Sequence, residues 1–177
     1  MIDLQIPSLK TERLILRGPE ARDFDAVAAF YSDADRCWGF GGTLDRNDAW
    51  RWFASMIGHW VLRGYGFWTV ETQDGNVVGI VGIWNPEGWP EPELGWVMFE
   101  GFEGKGYASE AAIEVRRFAY EVLGFETLTS NILPGNDKSV ALAKRLGAWF
   151  EKEYNNVNMG TDHLYRHPSA ATLEANS

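Results

Sequence analysis

Leu14 and Leu16 alternate with Arg13, Ile15 and Arg17 in "TERLILR" (Thr11 to Arg17), the two-residue period of a half-buried strand, and Pro19 closes it. The period then lengthens. Ala21 to Ser32 and Asp45 to Arg63 read as helices, the second placing Trp52, Met56 and Trp60 on one face, and "GYG" at Gly64 to Gly66 ends the pair. Three strands are predicted over Phe67–Glu71, Val77–Trp84 and Glu93–Phe99. The first two are joined by "QDGN", whose Asp74-Gly75 step signals an antiparallel hairpin. Tyr107 to Leu123 sets small or apolar Ala108, Ala111, Ala112, Val115, Phe118, Ala119 and Val122 against a charged row of Glu110, Glu114, Arg117 and Glu121. That is an amphipathic helix, with Gly124 as its stop. Thr127–Leu133 is strand-like, Asn136–Leu146 helical with Gly147 as its stop, and Ala148–Tyr154 with Asn158–Arg166 a closing hairpin. The order β-α-α-β-β-β-α-β-α-β-β predicts an α/β (α+β) fold, a mixed and mostly antiparallel sheet flanked by helices. No linker, repeat or low-complexity tract divides the chain. We expect one domain over residues 1–167 and a loose tail from Pro168 to Ser177.

Composition narrows the function. The 177 residues, 45% of them hydrophobic, suffice for one sizeable core. A formal charge of −9, with 16 basic residues dispersed along the chain, argues against a nucleic-acid partner and suits a cationic one. The single cysteine, Cys37, has no partner for an internal disulfide. No apolar run is long enough for a membrane span and the N-terminus lacks a signal-type apolar core, so the expected setting is cytoplasmic, without membrane attachment.

"FEGFEGKGYASEA" (Phe99 to Ala111) runs from a strand through glycines at 101, 104 and 106 into a helix. Bare backbone at a helix N-terminus can close N–H groups around an anion, with the helix dipole in support. A Walker A loop would need Lys and Ser/Thr after its last glycine, but Tyr107 and Ala108 stand there. A dinucleotide fingerprint would put glycine or alanine where Ser109 stands, and Glu126 opens the following strand where that fold wants an acid closing it. A tight structural connection accounts for the glycines alone.

A third pattern covers nearly the whole chain. "ELGWVMFEGFEGKGYASEA", the opening "TERLILR" and "NDKSVALAKRLGA" together closely resemble the GNAT N-acetyltransferases, in particular the ribosomal-protein (RimJ/RimL-like) branch and its spermidine-acetylating relatives. The resemblance implies acetyl-CoA as co-substrate and no metal. It places the coenzyme A pyrophosphate on the turn Gly104, Lys105, Gly106, Tyr107, Ala108 and Ser109, and the pantetheine arm along Trp96, Val97 and Met98. The family often has Gln or Arg where this chain has Gly101; backbone donors are still expected to carry the pyrophosphate.

Acetyl transfer to an amine needs a neutral amine, a polarised thioester carbonyl and a proton for the departing thiolate. A lysine-like amine of pKa near 10.4 is neutral about once in a few thousand molecules at pH 7, an α-amine of pKa about 8 roughly a tenth of the time. The first demands a good base. Glu93, matching an acidic position in several relatives, is the first candidate, with Glu91 and Glu71 in reserve; a solvated Glu93 after the "PEP" turn is the plainer reading. Many GNAT enzymes place a tyrosine acid seven residues after the asparagine of N-x-x-S, where this chain has Ala143. The resemblance to the ribosomal-protein branch, which carries serine in N-x-x-S, makes Ser139 the donor to the thiolate and adds Asn136 to the cofactor site. Asn136 is equally a favoured helix N-cap.

Trp38, Trp50, Trp52, Trp60, Trp68, Trp84, Trp89 and Trp96 are candidates for an aromatic amine-binding cleft; two or three are expected there and the rest in the core. "GIWNPEGWPEPE" (Gly82 to Glu93) is the expected substrate-facing loop. His59, His163 and His167 lack metal-ligand spacing and read, with Cys37, as structural or surface residues. The expected partners are therefore acetyl-CoA and a cationic amine acceptor, with a homodimer among the open oligomeric states. A non-catalytic coenzyme A sensor or a nucleotide-binding module are the alternatives, the second disfavoured by the "QDGN" hairpin.

Overall fold

The computed structural model describes residues 5–156 and 159–175. One eight-stranded sheet, in the order β1-β2-β3-β4-β5-β6-β8-β7, organises them. Its strands are β1 (Leu9–Lys10), β2 (Leu14–Arg17), β3 (Phe67–Thr72), β4 (Val77–Trp84), β5 (Glu93–Met98), β6 (Thr129–Ile132), β7 (Trp149–Asn156) and β8 (Gly160–Arg166). Every neighbouring pair is antiparallel except β5 and β6. The helices are α1 (Phe24–Ser32), α2 (Ala34–Cys37), α3 (Arg46–Arg63), α4 (Tyr107–Glu121), α5 (Asp137–Arg145) and α6 (Ala170–Ala175).

Strand alternation feeds two cores, one on each sheet face. Leu14, Leu16, Trp68, Val81, Ile83 and Leu94 pack with Ala111, Ala112, Val115 and Phe118 of α4. On the other face Phe67, Ile80 and Val97 pack with Val27, Phe30 and Tyr31 of α1 and Phe53 and Met56 of α3. The charged row of α4 stays outside, with Arg117 bridging Glu114 and Glu121. A buried ion cluster pins β2 to the turn before α1: the Arg17 guanidinium forks onto Asp23 through two 2.8 Å bonds, and Thr69 and the Glu20 N–H complete the carboxylate's shell.

Several details depart from the expected elements. The first strand is shorter than Thr11–Arg17 because Thr11 Oγ1 accepts from Leu14 N–H at 3.0 Å and turns the chain back, making Leu9–Lys10 an additional strand. The predicted Ala21–Ser32 helix opens as a 3₁₀ turn over Ala21–Asp23. Asp33 caps a further short helix, α2, by accepting from Asp35 N–H, and a 3₁₀ turn over Trp38–Phe40 follows. Where a loose tail is expected, Ala170–Ala175 is helical and Ala170 N–H donates to Glu126 O at 3.1 Å. Asn158, the expected start of the last strand, lies outside the described residues, as does Ser177.

Candidate active site

The β5–β6 pair is where the sheet opens. Parallel pairing is confined to the register Glu93↔Thr129, after which the strands diverge. Phe99 N–H donates to Val78 O at 2.9 Å, so by antiparallel alternation Val97, Gly95 and Glu93 spend their peptide groups on β4. The peptide groups of Trp96 and Met98 consequently face the gap. Of the three residues expected along a pantetheine arm, Trp96 and Met98 thus present free backbone edges. Val97 is paired with Ile80 and buried on the opposite face.

The strand continues into the glycine turn. Gly106 is the N-cap of α4 with φ +81°, a left-handed conformation that glycine adopts without penalty. The first helical bond of α4 is Glu110 N–H to Gly106 O at 3.1 Å, which leaves the N–H groups of Tyr107, Ala108 and Ser109 without an intrahelical carbonyl. Arg13 braces this corner: its guanidinium donates to Lys105 O at 3.0 Å and Glu110 at 2.7 Å and lies over the Tyr107 ring. On the other side Arg36 of α2 pairs with Glu103, which accepts from Gly101 N–H at 3.1 Å. The turn is therefore held by two arginines while its N–H groups stay available.

A cleft at the gap is lined by Gly39, Phe40, Glu93, Trp96, Asn131 and Ser139, among others. Asn136 Oδ1 accepts from Ser139 N–H at 3.2 Å, so the capping reading is right as geometry. Asn136 also borders the cleft, and Gly39 approaches it so closely that a Cβ there would lie 2.5 Å from Nδ2. Trp96 Nε1 donates to Ser139 Oγ at 3.4 Å, which frees the serine's own proton for another acceptor.

Glu93 is half-buried, not solvated after its turn. Trp89 Nε1 donates to its Oε2 at 2.5 Å and Asn131 Nδ2 to the same oxygen at 2.6 Å. Burial, reinforced by nearby Asp162 and opposed by these donors, pushes its pKa up to about 7. No cation pairs with it among the described residues. The reserve candidates differ: Glu71 is held by Arg17 and Arg22, and Glu91 sits in a fork with Arg166 at 2.6 and 2.8 Å. Both carboxylates are thereby committed to structural ion pairs.

This combination, a splayed parallel pair leading into an anion-ready helix N-terminus, agrees with the comparisons with known proteins. A family model described as an acetyltransferase (GNAT) domain matches residues 13–148. The chain belongs to the GNAT acetyltransferase family. It is an acyltransferase. An acetyltransferase structure from Agrobacterium tumefaciens is 36% identical with a TM-score of 0.85, covering 94% of this chain and 97% of that one. An uncharacterized N-acetyltransferase, YnaD of Bacillus subtilis, is 24% identical over 162 residues, 89% of this chain and 94% of the relative. A spermidine N-acetyltransferase from Vibrio cholerae, in complex with CoA and spermine, is 14% identical with a TM-score of 0.73 over 92% and 98% of the two chains, a likeness of fold alone. Acetyl-CoA is the acyl donor of this GNAT family.

Among the tryptophans, Trp60 and Trp68 are core residues, 3% and 0% exposed, Trp52 and Trp84 pack beside the α1–α3 core, and Trp38 and Trp50 are exposed. Trp89 and Trp96 are the two that hydrogen-bond Glu93 and Ser139, respectively. His59 is buried between Tyr65 O and Asn85 N–H and stacked on Trp84. Trp89, four residues before Glu93, is one of the tryptophans the sequence offers for the cleft. Asn131, 38 residues from Glu93, and the Gly39–Phe40 wall, remote from Glu93 and Asn136, are not readable as site residues because no local spacing signals them.

Proposed function

We propose that this acyltransferase moves acetyl from acetyl-CoA to a primary amine by direct attack in a ternary complex, as in the ribosomal-protein branch that "NDKS" resembles. The observation that carries the reading is the gap itself: free peptide edges of Trp96 and Met98 lead from the glycine turn to a cleft holding Glu93 and Ser139. The pyrophosphate rests on the N–H groups from Lys105 to Ser109, with Gly104 and Gly106 giving close approach. The pantetheine arm pairs with the open β5 edge, and Asn136 borders the thioester. Glu93, poised near neutrality, takes a proton from the bound ammonium, and the freed lone pair then attacks the thioester carbon, the second nitrogen proton passing to solvent. The tetrahedral adduct collapses and the coenzyme A thiolate leaves, protonated by Ser139 Oγ, which regains a proton from solvent.

A half-buried carboxylate that pairs with no cation among the described residues, beside an indole, favours an acceptor that arrives as an ammonium, whether a protein N-terminal amine or a small amine. Residues 1–167 form the catalytic domain in this reading, and its setting is the cytoplasm. The test is a panel of N-terminal peptides, polyamines and aminoglycosides with acetyl-CoA, read as free thiol released. Release with a subset of primary amines is expected; none with any amine, from protein that binds acetyl-CoA, overturns the proposal.

A further inference from the structure

A slot for an extended arm between two strand edges needs roughly two strand spacings, about 9.6 Å, where a closed ladder leaves about 4.8 Å. Something must stop β5 and β6 from zipping shut. Thr129 N–H donates to Pro92 O at 3.1 Å, so alternation turns the peptide groups of Thr129 and Asn131 toward β5. The next bond of a parallel ladder would run from Asn131 N–H to Leu94 O. That carbonyl is taken instead by the side chain of the intervening residue: Ser130 Oγ donates to Leu94 O at 2.6 Å.

The hydroxyl is itself held from behind. His167 is fully buried, and its Nε2 lies 2.9 Å from Ser130 Oγ. Because the serine's one proton goes to Leu94 O, His167 must donate through Nε2–H, leaving Nδ1 as an acceptor facing Arg116 Nη1 at 3.4 Å. Arg116, also buried, donates to Leu146 O at 2.6 Å just beyond α5, the helix whose start carries Asn136 and Ser139. Burial, with Arg116 and Arg166 nearby, pushes His167 down to about 3, so the ring stays neutral near pH 7, its tautomer fixed by the Ser130 bond.

We propose that Ser130, held in orientation by His167 and Arg116, is the wedge that ends β5–β6 pairing one residue past Glu93 and so keeps open the slot for the thioester arm. These are positioning residues that act through the Leu94 carbonyl, Ser130 bordering the cleft itself. The slot's occupant rests on the function proposed above; the wedge itself does not.

Amide hydrogen exchange of the free protein and acetyl-CoA affinity separate the two. In Ser130→Ala the ladder gains a pair, so the Asn131 amide should exchange at least tenfold more slowly and acetyl-CoA should bind about tenfold more weakly, with acceptor KM unchanged. His167→Gln, which can still donate to Ser130 and accept from Arg116, should behave as wild type, and His167→Leu as Ser130→Ala. Unchanged Asn131 exchange in folded Ser130→Ala overturns the wedge. Slower exchange with undiminished acetyl-CoA affinity supports the wedge and overturns the placement of the arm. If Ser130→Ala does not fold, the two His167 variants decide by the same amide: equal exchange in both overturns the wedge.

Discussion

Trp96 of β5 and Ser139 of α5 meet across the helix-covered side of the gap, indole Nε1 donating to Oγ at 3.4 Å. The bond spends a lone pair of the serine and leaves its proton free. This is the arrangement a donor to a departing thiolate needs, and a capping role alone would not require it, since the cap runs through the Ser139 backbone N–H.

Ser139→Ala is therefore expected to leave the helix cap intact and to lower kcat far more than acetyl-CoA affinity, because in the proposed mechanism the hydroxyl acts mainly as charge develops on sulfur. Steady-state kinetics with calorimetric binding of acetyl-CoA checks this. Unchanged kcat would return Ser139 to structure alone.

Gly106→Asp should weaken acetyl-CoA binding by about 2–4 kcal/mol, setting a carboxylate where the pyrophosphate is to rest. The position's φ of +81° also costs any side chain about 1–2 kcal/mol of stability. Gly106→Ala provides the reference for that strain. Calorimetry on both variants distinguishes them, and equal acetyl-CoA affinity in the two would remove the anion from this turn.

The legible part of this molecule is what local chemistry dictates. Alternation around Leu14 and Leu16, the Asp74-Gly75 hairpin and the α4 stripe each betray their element because neighbours in sequence are neighbours in space. The Gly106 turn is legible for the same reason. Glu93 could be singled out from sequence, but not preferred over Glu71 and Glu91 on physical grounds, because what separates them is remote. Arg17 and Arg166 occupy the other two, while Trp89 and Asn131 serve Glu93. Ser130 and His167 carry no signal until the sheet sets the Leu94 carbonyl against the Ser130 hydroxyl, with His167 behind it.

The Arg17–Asp23 fork gives a stability prediction independent of catalysis. Burial would raise the Asp23 pKa, but Arg17, the Glu20 N–H and Thr69 outweigh it and hold the group below its ordinary 3.8. A lowered folded-state pKa contributes stability above the unfolded value and loses it as pH falls through the folded value. Asp23→Ala leaves Arg17 with Glu71 as its remaining partner but removes the acceptor of the Glu20 N–H and Thr69, and should cost about 1–3 kcal/mol at neutral pH. Urea melts at pH 7 and pH 3 should show the difference between wild type and variant narrowing in acid.

In the proposed mechanism Glu93 combines catalysis and stability in one titration. With its pKa raised to about 7, the carboxylate becomes a base only as pH passes through neutrality, so wild-type kcat/KM should climb across that range. Glu93→Gln should lower kcat/KM by about 10²–10⁴-fold, the usual worth of a positioned base. The deficit should be largest between pH 7 and the amine's own pKa. Below that window wild-type Glu93 is itself protonated, and above it solvent deprotonates the amine unaided. Stability runs the opposite way. A carboxyl whose folded pKa lies above its unfolded 4.5 contributes stability fully below 4.5 and loses it as pH rises through about 7. Glutamine, always neutral, escapes that loss, so the melting temperature of Glu93→Gln relative to wild type should increase from pH 5 to pH 8. A purely electrostatic hold on the ammonium predicts a raised acceptor KM with kcat little changed. Parallel pH–rate profiles of equal kcat would take Glu93 out of the mechanism, and a flat stability difference would show that its carboxyl is not held near neutrality by burial.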